Sequence, residues 1–156
     1  MPIEQKESFK WVQSFRQARA LQGRCPKTQI ISVGDRERDV YELFLEAQRP
    51  GAPGLVIRAE RDRALGQEEG LLWAKMDQEP VQACYRLEVT PGPKRTARIA
   101  HLEVRFAPVT LKPPQRLRGR PVVTLWGVYA LEAGTAPNPK EQLEWMLLTR
   151  QELIKK

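Results

Sequence analysis

Histidine, cysteine and aromatic side chains are all scarce in this chain of 156 residues, which holds one His, two Cys and 7% aromatics. A single histidine leaves no Ser/His/Asp or Cys/His set, and His101 has no ligand-type neighbour at metal spacing. Cys25 and Cys84 stand far apart with no CxxC, which argues against a disulfide scaffold or a zinc site and for a reducing compartment. Long apolar runs are missing too. The longest, such as residues 122–126, fall far short of the ~20 residues that cross a bilayer. The opening stretch MPIEQKESFKW lacks the apolar segment of a secretory signal. The expectation is a soluble, cytoplasmic globular chain with no membrane partner. There is no Gly-rich phosphate loop, so an unrelated small α/β enzyme is disfavoured.

Acidic residues are in deficit: 19 Asp and Glu against 26 Lys and Arg give a net charge of +7. The deficit is local. Residues 1–78 hold 13 basic and 12 acidic side chains, whereas residues 79–156 hold 13 and 7. Between Pro91 and Pro121 stand Lys94, Arg95, Arg98, Arg105, Lys112, Arg116, Arg118 and Arg120, with Glu103 alone to offset them. A field of that sign attracts polyanions, because each phosphate neutralised by Lys or Arg releases condensed counterions. A solvated, solubilising hairpin accounts for the same composition, since a basic stripe does not name its partner.

What is present has clear periodicity. Residues 4–22 read as a helix, with Trp11, Phe15 and Ala18 recurring at three- and four-residue steps and Gly23 and Pro26 as stops. Ile30 to Val33 is a short β-branched run expected to form a buried strand. A second helix is expected from about Glu37, with Val40, Leu43, Phe44 and Ala47 on one face and a stop near Pro50-Gly51. Leu55-Val56-Ile57 reads as a second buried strand. Helix, strand, helix, strand is an α/β pattern whose strands pair in parallel.

After about residue 64 the period becomes two. Ala83, Tyr85, Leu87 and Val89 alternate with polar positions, and Ala100, Leu102, Val104 and Phe106 do the same. That is the pattern of an antiparallel sheet with one wet face. Val122 to Leu131 is apolar on both parities and is expected to be covered on both sides. Trp145 to Thr149 reads as a last strand. Trp11, Trp73 and Trp126 are assigned to packing, and His101 to the surface.

Chemistry concentrates in Val33-Gly34-Asp35-Arg36-Glu37-Arg38-Asp39-Val40-Tyr41-Glu42-Leu43-Phe44. Asp35 falls where a strand ends and a helix begins, the edge at which open α/β sheets bind ligands. A carboxylate there can take a hard divalent cation. It can equally be a helix cap, with Glu37 and Asp39 as first-turn acids complementing the helix dipole.

The run Gly-Asp-Arg-Glu-x-Asp-Val-Tyr-Glu-Leu-Phe resembles the second-aspartate signature of bacterial cut-and-paste DDE transposases of the insertion-sequence-four group, relatives of the transposon-five enzyme. Further segments resemble that family in order. They are Leu55-Val56-Ile57-Arg58-Ala59 with Arg61 and Arg63, Leu71-Leu72-Trp73, the stretch from Arg98 to Leu111, and Glu144-Trp145-Met146-Leu147-Leu148-Thr149. The resemblance implies a partial RNase H-like core over 1–64, a β-rich antiparallel insertion domain over 65–150 and a tail at 151–156.

By that resemblance Asp35 is the second of three carboxylates that hold two Mg²⁺ or Mn²⁺ ions for phosphoryl transfer. Arg58 would contact the DNA backbone, supported by Arg61, Arg63, Arg98 and Arg105. Trp145 would stack on a base flipped out at the transposon end. The partner implied is double-stranded DNA, on which the full-length family acts as a dimer. The family's first aspartate and its glutamate have no counterpart here. The expectation is therefore an internal fragment, inactive alone and without a stably bound metal. The alternative is a non-catalytic basic nucleic-acid-binding protein that uses the β-rich block.

Overall fold

The computed structural model describes residues 7–134 and 136–151. Residues 4–6 of the expected first helix and residues 152–156 of the expected tail lie outside those described. The order is α1 (Phe9–Arg24), β1 (Ile31–Gly34), α2 (Tyr41–Ala47), β2 (Gly54–Arg58), α3 (Leu72–Asp77), β3 (Ala83–Val89), β4 (Arg98–Leu111), β5 (Val123–Glu132) and β6 (Glu144–Thr149). No helix is long and apolar enough to cross a membrane.

The fold is mixed α/β, built on one six-stranded sheet in the order β1-β2-β6-β5-β4-β3. β1 and β2 run parallel, as a strand–helix–strand unit requires, and every other neighbour is antiparallel. The last strand thus lies between the α/β segment and the β-rich segment. Ile57 pairs with Leu148, and Leu148 with Gly127.

Register determines which side chains share a face. Leu55, Ile57, Met146, Leu148, Tyr129, Leu125, Val109 and Leu111 meet Phe15, Tyr41, Leu43, Phe44, Leu72 and Met76 in the main core. The opposite face carries Val33, Val56 and Trp126 in one row, and Arg58, Leu147, Val128 and Phe106 in the next. This second face is open. Ile31 and Val33 are 44% and 67% exposed, and Phe106, Trp126, Val128 and Leu147 are only half-buried.

Two expectations are corrected by this arrangement. The first strand is not buried, because it forms one edge of the sheet and no described element lies over its Val33 side. β5 is covered on both faces only in its second half: Val123, Leu125 and Tyr129 are buried on one face, while on the other Trp126 and Val128 touch partly open space and Ala130 and Glu132 are buried.

β4 also departs from a single wet face. Its even positions Ala100 and Leu102 are buried in the first half, and its odd positions Ala107, Val109 and Leu111 in the second. The switch has a local cause. The segment after β5 folds back over the first half of β4, where Arg98 bonds Glu132 and the Glu141 carbonyl and the Leu143 N–H donates to Glu132 Oε1.

Candidate functional site

The carboxyl ends of β1 and β2 lie side by side, since Gly34 pairs with Ile57. Asp35, just after β1, and Arg58, the last residue of β2, therefore emerge at the same end of the sheet. Asp35 is exposed and extended, and its Oδ1 accepts the Glu37 N–H at 3.2 Å. It caps the single helical turn Arg36–Arg38 rather than the longer helix, which begins only at Tyr41.

Asp39 explains that delay. It is not a first-turn acid on the surface: its side chain is fully buried against Arg63. Oδ1 accepts Arg63 Nη2 at 2.7 Å, and Oδ2 accepts the Glu60 and Arg61 N–H groups at 2.7 and 2.8 Å. The Arg63 guanidinium also lies over the rings of Tyr41 and Phe44, at 5.8 and 5.4 Å. A buried arginine matched to one carboxylate and two aromatic faces is a structural anchor, and it is not available to DNA.

A cleft of about 480 Å³ opens at this end of the sheet, walled by Arg36, Arg58, Trp73, Lys140, Glu144 and Trp145 among others. Asp35 does not line the cleft, although its neighbour Arg36 does. Arg58 is half-buried, its guanidinium 6.0 Å from the centre of the Trp145 ring, and its Nη2 donates to the Glu144 carbonyl at 3.3 Å. Burial, and then the like charge of Arg36, lower its pKa from the usual arginine value. Arginine nevertheless keeps its proton in proteins. Trp145 is half-buried and shares the open face with Arg58.

On the other face Glu144 is held in place. Its Oε1 accepts Trp73 Nε1 at 2.8 Å and the Tyr129 hydroxyl at 3.1 Å. Burial, reinforced by the Glu144 charge, pushes the Tyr129 phenol up to about 12, so it remains a donor throughout the physiological range. Trp73, assigned to packing from sequence, thus also forms a wall of the cleft. The roles of Arg36, Lys140 and Glu144 had no sequence signal, because each is brought to the cleft by a turn or a strand end.

The remaining cations fall into two groups. Arg98 pairs with Glu132, and this hydrogen-bonded partner is the main reason that Glu132's pKa is held below its ordinary value. Arg105 donates Nε to the Glu79 carbonyl at 3.0 Å and lies 3.6 Å from Glu103. Both are tied into the β-rich block, away from the cleft. Arg61 is exposed, as are Arg118 and Arg120, and none of the three makes an ion pair among the described residues.

No protein-family model matches this chain, and no curated protein matches it. The transposase resemblance therefore rests on the residues quoted for it alone.

A two-metal centre can be tested against the residues present. Two divalent ions ~3.5–4 Å apart repel strongly and need several anionic oxygens around them. Among the described residues no three His, Cys, Asp or Glu side chains converge as a metal-binding group. Asp35 alone does not fit such a centre.

Proposed function

We propose that this chain is the middle portion of a cut-and-paste DDE transposase of the insertion-sequence-four group, with a partial RNase H-like core followed by its β-rich insertion. In this reading the cleft at the end of β2 and β6 receives a DNA end. Arg58 takes a backbone phosphate, and the Trp145 indole offers a platform for an unpaired base. Arg36, Arg61 and Lys140 add positive potential around the opening. Strand cleavage through Mg²⁺ or Mn²⁺ is assigned to no step of this chain, since no partner carboxylates converge on Asp35 among the described residues.

The observation that carries the proposal is the juxtaposition of a guanidinium and an indole at the carboxyl end of a parallel strand pair, 6.0 Å apart and open to solvent. A cation for phosphate beside an aromatic plane for a base is the pairing that single-stranded or unpaired nucleotides require.

Fluorescence anisotropy with two short duplexes, one fully paired and one carrying an unpaired base near its end, tests it. Trp145→Ala is expected to weaken binding of the unpaired-base duplex by about tenfold, consistent with ~1–3 kcal/mol per stacked base, and to leave the paired duplex nearly unchanged. Arg58→Ala is expected to weaken both and to reduce the salt slope by about one. Equal binding of the two duplexes that is insensitive to Trp145→Ala overturns the reading. The second reading, backbone binding by the β-rich block, draws on the unpaired Arg118 and Arg120. It predicts instead that Arg118→Glu/Arg120→Glu abolishes binding to both duplexes.

A further inference from the structure

β3 forms the outer edge of the sheet opposite β1, and its first four residues are exposed on both faces. Such edges are ordinarily guarded by lysine, proline, a bulge or a covering element. The sequence of β3, Ala-Cys-Tyr-Arg-Leu-Glu-Val, contains neither lysine nor proline, and the strand pairs with β4 without interruption from Ala83 to Val89. The other edge is less accessible: β1 has four residues, and Arg38 Nη1 already donates to its Val33 carbonyl at 3.3 Å.

The phase of the ladder determines which backbone groups of β3 are free. In an antiparallel strand the N–H and C=O of one residue point the same way, and successive residues alternate. The His101 carbonyl accepts from Ala133, on the β5 side. Ala100 and Leu102 therefore point towards β3, where their partners are Leu87 and Tyr85. Cys84, Arg86 and Glu88 are left with outward-pointing N–H and C=O groups.

We propose that β3 pairs antiparallel with β3 of a second copy of this chain about a two-fold axis at Leu87. In that register Arg86 of one copy is hydrogen-bonded opposite Glu88 of the other, and the reciprocal pair forms across the axis. Leu87 meets Leu87, and Tyr85, which is 59% exposed, meets Val89. Shifting the axis to Arg86 or Glu88 sets like charges opposite each other, and a one-residue slip mismatches the outward groups. The Arg-Leu-Glu sequence is complementary to itself in this register, so it selects a two-fold pair and disfavours open-ended stacking. The inference does not depend on the transposase reading.

Sedimentation velocity over a range of protein concentrations tests it with the charge-reversed variants. The unmodified chain is expected to self-associate. Arg86→Glu and Glu88→Arg, both at exposed positions, are each expected to weaken self-association at least about tenfold, because each sets like charges directly opposite. An equimolar mixture of these two variants is expected to restore association, since every pair across the axis is then of opposite sign. In a Cys25→Ser/Cys84→Ser background, Leu87→Cys is expected to form an intermolecular disulfide. Residues facing each other in a non-hydrogen-bonded pair lie ~4.5 Å apart at Cα, within the span of that bond. A chain that is monomeric at every concentration overturns the proposal. So do single reversals that associate normally, or a mixture that stays monomeric.

Discussion

Both carboxylate oxygens of Asp39 are occupied, one by the Arg63 guanidinium and one by two backbone N–H groups of the segment after β2. That single side chain fixes the start of α2 and the exit of β2 together. Removing it leaves a buried guanidinium without its counter-charge and two N–H groups without acceptors. Asp39→Ala is expected to lower stability by about 3–5 kcal/mol in urea unfolding, the cost typical of breaking a buried pair from one side. Arg63→Met in the Asp39→Ala background is expected to recover only part of the loss, because Glu60 and Arg61 keep their unpaired N–H groups. From sequence Arg63 was grouped with Arg58 and Arg61 as DNA-facing. The 24 positions that separate it from Asp39 carry no periodic signal, so the pair is legible only in three dimensions.

At the scale of elements, α3 packs closely on β5. A Cβ built on Gly127 would lie 3.0 Å from Met76 Sδ and 3.4 Å from its Cε. Gly127→Val is expected to destabilise by about 1–3 kcal/mol through overpacking, and Met76→Ala in the same background is expected to relieve part of that cost in a double-mutant cycle.

At this scale much was legible in the sequence. Three- and four-residue spacing located α1 and the apolar stripe of α2, period two located β3 and β4, and the run from Trp145 to Thr149 located β6. The parallel pairing of β1 with β2 followed from their connection. What could not be read was which faces would be covered. Alternation in β4 says that its two faces differ, but the burial switch between Leu102 and Ala107 depends on a segment returning from beyond β5. Asp35, Arg58 and Trp145 were all singled out from sequence, and the fold brings Arg58 and Trp145 into one cleft that Asp35 does not line. Glu144 and Trp73 were not, because the hydrogen bond that joins them spans 71 positions.

For the whole molecule, the sheet is continuous across the two segments that the sequence pattern distinguishes, and β6 joins them. Leu148 is fully buried at that junction, paired on one side with Ile57 and on the other with Gly127. Leu148→Ala is expected to cost about 2–5 kcal/mol. The loss is expected as one transition, with tryptophan fluorescence and far-UV circular dichroism coinciding in denaturant. Separate transitions for the two signals would show that the halves unfold independently.

The central place of β6 also bears on how the chain is made. A ribosome delivers β1, β2, β3, β4 and β5 before the strand that must sit among them, so during synthesis β2 and β5 each carry an unmatched border. Contacts this distant in sequence form slowly. Until β6 emerges, the nascent polypeptide presents two sticky margins side by side, and chaperones that shield bare strand borders would find their substrate in that interval.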